Sequence, residues 1–204
     1  MSLQRELPAL VLASASAARA KLLRDAGLRF TVVPASFDEA GARRAACKVG
    51  RNAAEAALEL AEGKALLVSG EEPEAMVLGA DQVLACEGAW FKKPASREEA
   101  AEQLRALRGR EHRLVSAVAC ATAGKVCWSH VSEARLHFRN FSDEVLSGVL
   151  EADEAAIGTS VGGYRLEGPG VLLCQAIKGD HFTILGLPLL PLLQFLRGVR
   201  VLID

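Results

Sequence analysis

Residues 75–85 read AMVLGADQVLA, apolar enough for a strand buried on both faces, yet with Asp81 and Gln82 at the centre. A carboxylate among Leu78, Ala80, Val83 and Leu84 is costly to desolvate unless a cation or hydrogen-bond donors meet it. A chain built around such a segment either brings compensating groups to Asp81 or turns it to solvent at a strand end. This segment alone leaves both arrangements open.

The flanking sequence supplies the other elements. Residues 7–13 (LPALVLA) form a nearly continuous apolar run that suits a buried strand. The turn Ser14-Ala15-Ser16 and an Ala-rich helix over 17–26, closed by Gly27, follow with N-cap and C-cap chemistry. A short strand over 30–33 ends at Pro34, and residues 35–39 are expected to be a loop carrying Asp38 and Glu39. Residues 52–67 favour helix, with Gly63 a weak point. Ser96 and Glu99 form a capping box for a helix to about Arg108. Runs over 112–121 and 126–138 around Ala123-Gly124-Lys125 predict a long hairpin, and Ser142 opens a helix to Ala152. A glycine-rich passage over 162–170 precedes a strand at 171–177, and Leu187-Pro188 starts an apolar C-terminal helix. Helices and strands are mixed throughout, which predicts an α/β fold in a single domain over residues 1–204.

Charge limits the partners. The 204 residues carry 24 basic and 25 acidic side chains, a net charge of −1, so no global positive field exists to hold nucleic acid or an anionic membrane. Phosphate recognition has to be local. No apolar stretch is long enough to span a bilayer and the N-terminus lacks a secretory pattern, so a cytoplasmic protein is expected. The five cysteines have no paired short spacing and indicate neither a zinc site nor a disulfide framework.

Several residues are candidates for holding phosphate. A helix N-terminus offers free N–H groups, and Ser14, Ser16 and Arg19 add hydroxyls and a cation beside it; an ordinary capped helix is the plainer alternative. Lys64 and Lys93 each adjoin an apolar segment, as surface lysines also do. Asp38 and Glu39 are either solvated loop acids or, with Asp81, hard oxygen ligands for a divalent cation.

In their order along the chain these features resemble a known family. Ser14-Ala15-Ser16 with Arg19, Leu22 and Leu23; Asp38-Glu39; residues 60–65 (LAEGKA); residues 79–83 (GADQV); Lys93-Pro94; Gly162-Gly163-Tyr164 with Glu167-Gly168; and residues 186–189 (GLPL) are similar to the motifs of the Maf nucleoside triphosphate pyrophosphatases. The resemblance runs from about residue 9 to residue 197. It implies a long mixed β-sheet with flanking helices and two lobes around a central cleft. It further implies hydrolysis of a nucleoside triphosphate to the monophosphate and pyrophosphate, a divalent metal (Mg²⁺ or Mn²⁺) and a homodimer. Carried over by motif, Asp81 matches the family's catalytic acid, and Glu39, with Asp81, its metal-organising acids. Ser14, Arg19, Lys64 and Lys93 match its phosphate-facing residues.

The chain departs from the usual pattern at Ala17 and Ala18, where a Pro and a larger or basic residue are common. Ala18, Gln82 and Glu167 match positions that separate the family's specificity classes, and Gln82 with Glu167 resembles the class acting on 7-methyl-GTP. The alternatives are a dTTP- or UTP-preferring pyrophosphatase and a nucleotide-binding regulator of cell division with weak turnover. A P-loop enzyme is disfavoured because no G-x-x-x-x-G-K-[ST] occurs.

Overall fold

The structure, a computed structural model, describes residues 3–36 and 38–203. Met1, Ser2, Phe37 and Asp204 lie outside the described residues, and with them two residues of the N-terminal stretch and one of the expected 35–39 loop. In chain order the elements are β1 (Leu10–Leu12), α1 (Ala17–Asp25), β2 (Thr31–Val32), α2 (Glu39–Lys48), α3 (Ala53–Glu71), β3 (Met76–Cys86) and β4 (Ala89–Phe91). They continue as α4 (Arg97–Leu107), β5 (Glu111–Thr122), β6 (Lys125–Phe138), α5 (Asp143–Ala152), β7 (Cys174–Lys178), α6 (His181–Ile184) and α7 (Leu189–Gly198). None of the described helices is long and apolar enough to cross a membrane.

The seven strands form one mixed sheet in the order β2-β1-β3-β5-β6-β7, with β4 also paired to β3. β1 runs parallel to β2 and to β3, and every other pairing is antiparallel. β3 is the axis of the molecule. On one side β5 pairs with it from Val77 to Ala85. On its other side β1 pairs only with 76–78 and β4 only with 84–86, so residues 79–83 have no strand partner on that edge. Asp81 is the middle residue of that gap.

Alternation along β3 assigns its two faces. Val83 and Ala85 point to α3, whose Ala53, Ala57, Ala61 and Ala65 pack on them and on Val115, Ala117 and Ala119 of β5. Gly79 lies on the same face. A Cβ there would meet the Ala61 carbonyl oxygen at 2.1 Å, so only glycine lets α3 approach this closely. On the opposite face Met76, Leu78 and Ala80 join the core of α1 and α7, whereas Leu84 and Cys86 join that of α4 and α5. The two lobes meet at Gln82, on the face shared by these cores.

Three expectations need correction. Residues 38 and 39 do not belong to a loop: Asp38 caps α2 by accepting from Gly41 N, and Glu39 begins the helix. α3 passes through Gly63 and extends to Glu71, because a capping box of Asn52 with Glu55 and the alanine face against the sheet outweigh one glycine. The stretch 169–173 is a 3₁₀ turn started by Pro169, and the last strand begins only at Cys174.

Candidate active site

The edge left open on β3 needs partners, because buried backbone carbonyls do not go unpaired. Leu78 O points along this edge to Ala13 N, and by the two-residue period Ala80 O and Gln82 O point the same way. Two arginines meet them. Arg19 Nη1 donates to Ala80 O at 2.7 Å, and Arg43 Nη2 donates to Gln82 O at 3.0 Å. The gap in the sheet thus attracts cations, and it does so on both sides of Asp81.

Asp81 is only 2% exposed and is compensated on both oxygens. Lys64 Nζ lies 2.8 Å from Oδ1, and Arg43 Nη2 lies 2.7 Å from Oδ2. Lys64, buried in the α3 turn that Gly79 admits, also pairs with Glu39 Oε1 at 2.8 Å. Glu39 is 44% exposed. Burial opposes its ionisation, but Lys64 beside it, with Arg43 and Lys93 nearby, holds its carboxyl below the usual carboxylate range. Of the two arrangements the sequence leaves open for Asp81, the structure has the buried one.

The serine turn follows β1 at its C-terminal end, beside the gap. Ser16 caps α1 by accepting from Arg19 N, and Ser14 Oγ accepts from Ser16 N and from Arg19 Nη1. Arg19 Nε donates to Gly186 O at 2.8 Å, which ties α1 to the start of the 186–189 segment. Gly186 has φ +95°, a backbone region open to glycine. Burial lowers the Arg19 pKa, while Asp81 and Glu39 work against that shift.

Ser14, Ser16, Ala18, Arg19, Glu39, Lys64, Asp81, Gln82, Lys93 and Glu167 all line one cleft, whereas Asp38, the other acid considered as a metal ligand, is not among the lining residues and caps α2 instead. Lys93 is exposed in the cleft and makes no hydrogen bond or ion pair with a described residue; partial desolvation there lowers its pKa, Glu39 raises it, and Arg19 and Lys64 lower it further. Gln82 is not free: its Nε2, with two N–H groups to give, lies 3.0 Å from Ser116 Oγ, 3.1 Å from Thr183 O and 3.0 Å from Ile184 O, clasping β3 to α6. Glu167 is exposed where the cleft meets a second groove lined by Ala18, Phe182, Leu185 and Leu189. Sequence reasoning missed Arg43. It lies in an Ala- and Arg-rich stretch with no apolar period, and only the capping sequence from Asp38 onward signals its helix.

The cleft therefore holds five cations (Arg19, Arg43, Lys64, Lys93, Arg165) against three carboxylates (Glu39, Asp81, Glu167), a local excess of positive charge in a chain of net charge −1, and four of the cations gather around Glu39 and Asp81. Among the described residues no group of three or more His, Cys, Asp or Glu could hold a metal ion. Glu39 and Asp81 remain as a pair of carboxylates that share Lys64, each with lone pairs not used by that lysine. Two carboxylates fit Mg²⁺ when substrate phosphates and water complete its shell.

Residues 9–199 match the family described as Maf-like protein. A protein of Paramagnetospirillum magneticum named nucleoside triphosphate pyrophosphatase is 49% identical over 92% of this chain and 96% of its own length. Proteins of the same name from Granulibacter bethesdensis (47% identical, 95% of this chain and 98% of that one) and Bradyrhizobium diazoefficiens (48%, 99% of both) are similar over almost their whole lengths.

Proposed function

The chain belongs to the Maf-like protein family, and from that premise we propose that it hydrolyses a nucleoside triphosphate at the α-phosphorus, giving the monophosphate and pyrophosphate. One observation carries the reading: a buried aspartate sits in an unpaired stretch of the central strand, and the groups gathered around it are cations. A polyanionic tail is the ligand such a cleft neutralises, and hydrolysis needs that neutralisation together with an aligned water.

Each residue then has a part. Arg19, held rigidly by three acceptors, and the exposed Lys93 stabilise the triphosphate and the departing pyrophosphate. Lys64 fixes the Asp81 carboxylate, and the lone pairs that Lys64 and Arg43 leave on it orient water and accept its proton. A divalent cation bound by Glu39 and Asp81 would supply charge neutralisation on the phosphate oxygens and a lowered pKa for bound water. Ser14 and Ser16 offer hydroxyls at the positive end of α1.

The finer reading is 7-methyl-GTP as substrate. Glu167, exposed between the polar cleft and the groove of Ala18, Phe182 and Leu185, supports it. A carboxylate there accepts from guanine N1–H and the amino group, and its charge suits a methylated, cationic ring. Two carboxylates and four cations at the phosphate end also support an enzyme in preference to a passive nucleotide-binding regulator. The test is pyrophosphate release from a panel of canonical and modified triphosphates with Mg²⁺ and with Mn²⁺. Turnover led by 7-methyl-GTP and abolished in a folded Asp81→Asn variant is the expected result. Preference for dTTP or UTP overturns the substrate assignment, and an active Asp81→Asn enzyme removes Asp81 from the mechanism. A homodimer and a cytoplasmic location are part of the same proposal, checked by light scattering and fractionation.

A further inference from the structure

Arg43 is a cleft cation that no motif brought to notice, and its hydrogen bonding is lopsided. Both of its bonds, to Asp81 Oδ2 and to Gln82 O, come from a single nitrogen, Nη2. The remaining Nη1 and Nε make no hydrogen bond with a described residue. The side chain is 20% exposed and lines the cleft. A guanidinium is planar, permanently charged and forked, so one nitrogen can stay on a carboxylate while the others engage a second anion. Lys64 has no such reserve, since its ammonium is buried and its three donors already face Asp81, Glu39 and, at 3.5 Å, Ala80 O. Arg19 spends Nε and Nη1 on protein oxygens and keeps only Nη2 for the ligand, so it has one free nitrogen where Arg43 has two.

We propose that Arg43 bridges Asp81 to the substrate: Nη2 holds the carboxylate while Nη1 and Nε grip a phosphate of the triphosphate. The inference rests on the triphosphate reading above and adds to it a binding residue that is also a positioning residue. Its placement on α2 gives it a second consequence. Among the described side chains of α2 only Ala46 is buried. The N-terminal half of that helix is also tied to the body by Glu39–Lys64 and Arg43–Asp81, the two ion pairs it makes inside the cleft. Phosphate on Arg43 therefore adds a third tie across the cleft, from α2 to the ligand, and draws the helix against the bound tail while Asp81 keeps its orientation.

The experiment is calorimetric binding of inorganic tripolyphosphate, which reads the contact without turnover, to wild type, Arg43→Met, Arg43→Lys and Arg44→Met. Arg44 is the exposed neighbour on the same helix and controls for removing one positive charge. Losing a charge-assisted contact weakens binding by about 10-fold to 100-fold in Arg43→Met. Arg44→Met is expected to stay within about 3-fold of wild type, the scale of a screened surface charge. Arg43→Lys recovers part of the affinity but not the wild-type kcat, because an ammonium cannot hold Asp81 and phosphate in the forked geometry. Circular dichroism establishes that each variant is folded. Wild-type affinity in Arg43→Met, an equal loss in Arg44→Met, or no binding to wild type overturns the proposal. A wild type that binds tripolyphosphate through Arg43 but releases no pyrophosphate from any nucleotide sinks the proposed function and leaves this contact standing.

Discussion

His112, 1% exposed on β5, places Nε2 2.7 Å from the hydroxyl of Tyr164, a residue of the cleft wall, and stacks edge-on against Phe138. Burial pulls its pKa from 6.5 down to about 4. Between those values the unfolded chain binds a proton that the folded chain refuses. This group's contribution is therefore complete above pH 6.5 and is lost as pH falls toward 4, by about 3 kcal/mol in all. Urea denaturation of wild type and His112→Gln should show the wild-type advantage shrinking between about pH 7 and about pH 4.5; parallel pH dependences would show that the ring titrates normally. Asp81 was legible in sequence because a charge in an apolar run demands an explanation, whereas Arg43 was not. An arginine in a polar, Ala-rich segment looks the same whether it faces solvent or a carboxylate 38 positions away.

α3 and β3 form the element pair that makes the site, and their distance is set at Gly79. A Cβ there meets the Ala61 carbonyl at 2.1 Å and Ala65 N at 2.6 Å, backbone atoms that cannot turn aside. Gly79→Ala is thus expected to push α3 outward, cost about 1–3 kcal/mol or more in urea denaturation, and lower turnover further by separating Lys64 from Asp81. A variant of wild-type stability and activity would show that the helix has slack. The motif GADQV gave the strand and its acid, but not that 79–83 lie between two short partner strands. That depends on where β1 and β4 stop, which pairing decides and local propensity does not. The same limit hid α2, which has a capping aspartate but almost no apolar face. It also hid the clasp of Gln82 on α6, across 101 positions of sequence.

The whole molecule carries net charge −1 and concentrates an excess of cations in one cleft, so attraction for a polyanion is short-ranged and screenable. KM for the triphosphate should rise several-fold from ~50 mM to ~500 mM NaCl, with kcat changing less, as the Debye length falls below the width of a cleft; a salt-independent KM would mean that the cations are consumed by internal pairs. The α/β class and the order of the motifs follow from the sequence, and the mixed sheet with apolar cores on both faces agrees with them. The most direct test of the central claim is hydrolysis in ¹⁸O-labelled water with mass analysis of both products. Attack at the α-phosphorus beside Asp81 predicts one ¹⁸O in the nucleoside monophosphate and none in pyrophosphate, with no product from Asp81→Asn. Label in the pyrophosphate, or orthophosphate and nucleoside diphosphate as the products, would contradict it.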